Sequence, residues 1–473
     1  MLIINKKYED SDVVMAARLT GEVVHIEAND YAVMQRLNDE ASRQEQSDTN
    51  ATLLFADGVS LWQLQTLGIP DEVSQRMDII ATTMEDLTAK TLLLRLPGIQ
   101  ADYPSLDRIP QGYNSEKTVH LVIFGNTAMA EALATNTALV AHYPNYCRDT
   151  RLRTRITVID PDVFSLRDRM TMLYHRLFEH SYYRSLNLDD NEPQCMVHCP
   201  EYEGQRKDFV DVEWEFVKAN AGNDAVRKKL SFWANAENQQ LTIAVCGNHS
   251  SENTVMACTL PDEIQENGIP VLFHTSQDSC FNIPTSGNLF PFSEKICRTD
   301  ILNMLQRMAK GVNFIYNHCF SLPPDAPVTS PAKIDTAVAE QQWRELPLFS
   351  KRYSNILNAM TLGTKMHSVG LTVDDWQAYY ALSRFEIEVL AEVEHNRWSV
   401  EELMLGFRPV TDEEQRAVEQ DISLKRTLRN RKIHYDLRAF DDLRSDDTGK
   451  NVSIYDQALT QGIPLILKQC ITD

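Results

Sequence analysis

The segment LAEVEHNRWSVEELMLGF, residues 390–407, brings Glu394, His395, Trp398, Glu401 and Glu402 into one short run. An indole plane flanked by carboxylates and an imidazole can stack on a nucleobase and accept hydrogen bonds from its edge or from ribose hydroxyls. Helical spacing sends Leu390, Val393, Val400, Met404 and Phe407 toward a core, with Arg397 interrupting the stripe. Glu394, Trp398, Glu401 and Leu405 fall beside that stripe, and His395, Trp398 and Glu402 share the next face. The plainer alternative stays open: Arg397 and Glu401, four residues apart, form a surface ion pair of a few tenths of a kcal/mol, and His395 is structural.

Further along, ISLKRTLRNRKIHYDLRAFDDL carries Lys425, Arg426, Arg429, Arg431, Lys432 and His434 in a chain that is otherwise strongly acidic. It is either a solvated helix face or the place where a phosphate would meet several guanidinium donors. The expected ligand pocket therefore sets His395, Trp398, Glu401 and Glu402 against Arg429, Arg431, Lys432, His434 and Asp436, with Asp456 from the final helix.

A second constellation lies at FGNTAMAEAL, residues 124–133, where an apolar strand meets a glycine and then a helix. Backbone N–H groups and a helix N-terminus in that setting receive a pyrophosphate, and Asp160, ending the next strand, stands where a carboxylate accepts a ribose hydroxyl. Of the G-x-G-x-x-G fingerprint only Gly125 is present: Thr127 holds the second position, where its side chain meets the phosphate path, and Ala130 the third. Gly125, Asn126, Thr127 and Asp160 are the candidate cofactor residues, for NAD or another nucleotide. Other chemistry is excluded by missing pieces. CMVHC, residues 195–199, lacks the second ligand pair of a closed zinc site, and no nucleophile elbow, phosphate loop or HExxH helix occurs.

These residues must be positioned by folded elements. A chain of 473 residues exceeds what one hydrophobic core usually serves. Its net charge of −21 disfavours long-range attraction to nucleic acid or an anionic membrane. No apolar run approaches the roughly 18 to 20 residues of a membrane crossing. Nine scattered cysteines fit a reducing cytoplasm.

Residues 1–115 read as a mixed α/β region of unassigned role, with a polar loop or frayed helix end at 39–50. From 116 to 320, strands at Thr118–Phe124, the run ending at Asp160, Phe209–Val217, Leu241–Gly247 and Ile269–Thr275 alternate with helical patterns, DRMTMLYHRLFEHSYY among them. Asn313–His318 would add a sixth strand. Such alternation predicts an α/β fold, a doubly wound parallel Rossmann-like sheet. The stretch 321–335, with Pro323, Pro324, Pro327 and Pro331, separates it from an all-α region at 336–473.

The 116–320 block resembles the NAD-binding domains of potassium-transport regulators, on VIFGNTAMAEAL and VID. The C-terminal region resembles the ryanodine-receptor-type (RyR) repeat of calcium-release channels and many bacterial proteins. His395, Trp398, Glu401, Glu402 and Gly406 match its first motif, His434, Asp436, Leu437, Phe440 and Leu443 its second, and Asp456 its third. Tyr435 and Ala439 replace expected prolines and Gln457 an expected arginine. RELPLFSKRYSNILNAMTLGTKMHSVGL, with Trp343, Ser354 and Asn355, is similar to the helical region preceding the repeat in bacterial members with a Rossmann-like domain. The resemblance implies a non-catalytic, cytoplasmic sensor of a nucleotide or nucleotide-derived signal, of the kind found in bacterial signalling or anti-phage defence and expected to self-associate. A degenerate NAD-dependent oxidoreductase and a non-catalytic scaffold remain the alternatives.

Overall fold

Continuous Val, Ile and Leu runs become strands buried on both faces, and the intervening periodic stretches become helices that cover them. The computed structural model describes residues 1–22, 24–44, 49–99, 102–189, 194–201, 207–275, 287–323, 326–346, 349–445 and 449–472. Pro324 and Asp325 of the proline-rich stretch, and 45–48 of the polar stretch, lie outside the described residues.

The first sheet contains β1 (Leu2–Asn5), β2 (Val24–Glu27), β3 (Thr49–Phe55) and β4 (Met77–Thr83) in the order β2-β1-β3-β4, all parallel. Its strands feed helices from their carboxyl ends: Asp57 caps the helix Gly58–Leu67, and Thr83 caps Met84–Leu93 through the Asp86 N–H.

The second sheet contains β5 (Thr118–Phe124), β6 (Thr154–Asp160), β7 (Tyr182–Asn187), β8 (Gln194–His198), β9 (Val212–Lys218), β10 (Gln239–Val245), β11 (Val271–His274) and β12 (Leu289–Phe292). Their order is β12-β11-β10-β5-β6-β9-β7-β8, parallel throughout except for β8 against β7. Alternate side chains of β5 divide between two cores. Leu121 and Ile123 pack with Leu133 and Leu166 on one face, and Val122 and Phe124 pack with Val226, Leu230 and Ile264 on the other. Helices thus cover both faces.

Three expectations are corrected. Asn313–His318 is no strand; it continues the helix Thr299–Ser321, because Ile301, Leu305, Met308, Val312, Ile315 and Cys319 keep one helical stripe buried. The aromatic and β-branched residues in NFIYNH imitate a strand locally, and the strand beyond β11 is β12 instead. The helix expected through Tyr183 stops at His180, and Tyr182 and Tyr183 enter β7 beside β9. The C-terminal region is not purely helical, since Arg408–Pro409 pairs with Ile433–His434.

The C-terminal helices share a core with the large sheet. Leu357, Leu390, Val400 and Ile466 belong to the same apolar cluster as Leu121, Leu133 and Leu305. Among these helices Arg384–Met404 buries nearly its whole second half. A Ser383–Glu386 capping box starts it, and it stops at Gly406, whose φ of 85° allows the Phe407 N–H to reach back to the Glu402 carbonyl.

Candidate functional site

The helix Arg384–Met404 has no wet face along its second half. Between Val393 and Met404 every side chain is buried except Trp398, which is half-buried. The surface pair expected of Arg397 and Glu401 is therefore a buried one, with Arg397 1% and Glu401 0% exposed. Arg397 donates to Glu394 Oε1 at 2.8 Å and to Glu401 Oε2 at 2.6 Å, and Lys365 completes the cluster on Glu394. Burial alone would raise the Glu394 pKa, but Arg397 and Lys365 overcome it and bring the group down to about 2. For Glu401 burial prevails over Arg397 and the pKa rises. The spacing was legible; the inward turn of the polar face was not, because its partner Lys365 sits 29 residues upstream of Glu394.

The sequence-selected residues separate into three groups. His395, Trp398, His434 and Asp456 form the first. His395 Nε2 lies 2.8 Å from the Arg438 carbonyl and Nδ1 3.3 Å from Asp456. Burial pushes the imidazole down, yet Asp456 outweighs it and the net direction is up. Trp398 meets His434 edge to face at 4.8 Å. Burial, then Arg429 and Lys425, drive the His434 pKa well down, so this ring stays neutral and adds no charge for a phosphate. Asp436 pairs with Lys425 at 3.5 Å.

Glu402, Arg429 and Lys432 form the second group. Glu402 is 4% exposed, and its Oε2 has no hydrogen-bond partner among the described residues. Burial raises its pKa to about 7, opposed by Arg429 and Lys432. Lys432 Nζ also donates to the carbonyls of Thr66 and Leu405 and stands 4.5 Å from the Phe407 ring. Arg429 and Arg431 are exposed at the surface. Glu401 alone makes the third group and faces a different cavity.

At the Gly125 turn the side chains satisfy one another. Thr127 accepts from the Ala130 N–H as helix N-cap and donates to the Cys246 carbonyl at 2.7 Å, so its side chain ties β5 to β10. Asn126 donates to the Asp162 carbonyl and to Ser165, and Asp160 accepts from the Asp162 N–H at 2.8 Å. Burial lifts the Asp160 pKa. Gly125 has φ 123°, and a Cβ there would stand 2.5 Å from the Cys246 carbonyl oxygen. Gly125→Ala should accordingly lower stability by about 1–3 kcal/mol, read by urea unfolding; an unchanged midpoint would contradict the close approach.

A cavity of about 280 Å³ opens where the two sheets and the C-terminal helices meet. Its wall includes Asp57, Trp62 and Asp86 from the carboxyl ends of the first sheet, Glu131 and Asn136 from the helix Ala128–Val140, and Tyr353 and Glu401 from the C-terminal helices. Of these only Glu401 was selected from the sequence. The available signal was the Asp57-Gly58 step closing the run ATLLFA: carboxyl ends of parallel strands are where open α/β sheets bind ligands.

No family model, curated protein or solved structure matches the chain. Among the described residues, no helix is long and apolar enough to cross a membrane and no group of three or more His, Cys, Asp or Glu is placed to hold a metal ion.

Proposed function

We propose that this chain is a ligand-sensing regulatory protein that receives a nucleotide or nucleotide-derived signal at the carboxyl edge of its large sheet. The observation that carries the reading is the strand order. With the seventh parallel strand, β7, set apart beyond β9, the other six, β5, β6, β9, β10, β11 and β12, numbered along the chain, stand in the order 3-2-1-4-5-6, which is the order of a Rossmann-like sheet. The Gly125 turn follows strand 1, beside strand 4, where that order reverses and such sheets take dinucleotides.

The C-terminal region supports a regulatory role, in keeping with its RyR-type resemblance. The helix Arg384–Met404 packs on Ala128–Val140, the helix that leaves the Gly125 turn, so an occupant of that turn has a direct mechanical route to the C-terminal helices. The self-satisfied side chains at the turn set a condition on binding: Thr127 must release Cys246 or the phosphate must approach past it.

The test is thermal unfolding of the purified protein with NAD, NADP and related adenine dinucleotides. Saturating ligand at about 100 times Kd stabilises a folded protein by ~2.7 kcal/mol. We expect a shift of that order, absent in Asp160→Ala. No shift with any adenine dinucleotide in the unsubstituted protein would overturn the reading. A shift retained in Asp160→Ala but lost in Trp398→Ala would overturn this placement and move the site to the C-terminal group.

A further inference from the structure

We infer that the cavity between the two sheets and the C-terminal helices is a second ligand site, one that takes a small amine-bearing cation and excludes phosphate. It is independent of the nucleotide reading, because none of the Gly125, Asn126, Thr127 or Asp160 side chains lines it.

The hydrogen-bonding balance of the wall comes first. Asn136 is 2% exposed, and its amide nitrogen is fully used, donating to Asp86 Oδ1 and to the Ala132 carbonyl, each at 2.9 Å. Its Oδ1 is left with no partner among the described residues. Glu401 gives Oε2 to Arg397, while its Oε1, with the Ser354 side chain beside the carboxyl, has no partner in bonding geometry. Buried polar atoms are nearly always satisfied in folded proteins, so two unpartnered acceptors on residues that line one cavity ask for a donor. Both acceptors are oxygens, and one is a carboxylate: the complementary group is an ammonium or a guanidinium, which carries several N–H donors and no acceptor.

Charge points the same way. Asp57, Glu85, Asp86, Glu131 and Glu401 line the cavity, and Arg169 is the one cation of the lining, while Lys7, Lys90 and Arg397 meet Glu85, Asp86 and Glu401 from outside it. Arg169 is itself held by Glu131, with Nε to Oε2 at 2.9 Å, so no cation of the wall stands free for a phosphate. The indole of Trp62 and the ring of Tyr353 complete a wall in which a cation meets aromatic surface as well as carboxylate. Tyr353 is kept in place by Gln65, whose Nε2 donates to its hydroxyl at 2.7 Å.

An occupant would touch all three parts of the chain at once. It would reach the first sheet through Trp62 and Asp86, the large sheet's helix through Asn136, and the C-terminal helices through Glu401. A ligand with that reach stabilises the closed arrangement of the three by its full binding energy.

The experiment is isothermal titration of the intact protein with putrescine and agmatine, with adenosine and AMP as uncharged-base and phosphate-bearing controls. Saturable binding of one of the two cations, weakened at least tenfold in Glu401→Gln and lost in Ala132→Phe, supports the site. Ala132 lines the cavity without entering the acid–base network, so the second variant decides the question where the first fails to fold. No binding of either cation, binding undiminished in Ala132→Phe, or AMP binding competitive with the amine would each overturn the proposal.

Discussion

Arg397→Met should destabilise the protein by about 3–5 kcal/mol, the usual penalty for removing one partner of a buried ion pair. The guanidinium is the shared counter-charge of two buried carboxylates, reaching Glu394 through Nε and Nη2 and Glu401 through Nη1. Methionine fills the space but leaves Glu401 with no cation and Glu394 with Lys365 alone. The carboxylates then escape their desolvation by taking up protons, so the loss should be larger at neutral pH than near pH 4, where they are neutralised in the unfolded chain as well. Urea unfolding at both pH values measures it. A loss under ~1 kcal/mol at neutral pH would mean that water reaches the cluster and that the pair behaves as a surface one.

The double substitution sharpens the argument. Changing Arg397 to Met together with Glu401 to Gln leaves Glu394 balanced by Lys365 and removes the carboxylate that has no cation, and most of the stability should return. A buried ion pair replaced as a pair by neutral groups of similar volume is often tolerated. Recovery would show that the cluster's requirement is mutual compensation; failure to recover would show that the hydrogen bonds of Arg397 matter more than its charge.

Why this cluster escaped sequence reasoning has a physical answer. Strands announce themselves because a strand buried on both faces must be largely apolar, as the centres of TVHLVIF and RITVID are, and five of the seven parallel strands of the large sheet lie within a few residues of where that signal puts them, β7 and β12 being the exceptions. The strand expected at Asn313–His318 failed because NFIYNH has strand composition over a span too short to reveal its helical period. Charged residues give no such announcement. Glu394, Arg397 and Glu401 have the spacing of a solvated helix face, and tertiary packing makes that face interior, with Lys365 arriving from 362–368 and the helices 349–360 and 453–472 packed against it. Of the candidate pockets, the sequence displayed the side chains of the Gly125 turn in order, since they are contiguous. The acid-lined cavity draws on residues from Asp57 to Leu405, and nothing local connects them.

Glu402→Gln should raise stability, and by an amount that grows with pH. Burial lifts the Glu402 carboxyl from its ordinary 4.5 to about 7, so the folded protein binds a proton there that the unfolded chain has already released. Below the unfolded value both states are protonated and the group contributes nothing. Between the two values the folded state alone holds the proton, and stability falls as pH rises. Above the folded value the carboxylate is charged in both states, and the full penalty of about 3 kcal/mol applies. Glutamine has the shape of the protonated acid and never ionises. The variant should therefore match the unsubstituted protein near pH 4 and exceed it by roughly 2–3 kcal/mol near pH 8.5, followed by urea unfolding across that range. Arg429 and Lys432, which oppose the shift, decide how much of this appears. Arg429 is exposed and Lys432 keeps its carbonyl acceptors on Thr66 and Leu405, so neither is stranded when Glu402 loses its charge. A pH-independent difference between the two proteins would show that the carboxylate is hydrated in the folded state; a variant less stable at pH 8.5 would show that Arg429 and Lys432 hold Glu402 as an ion pair.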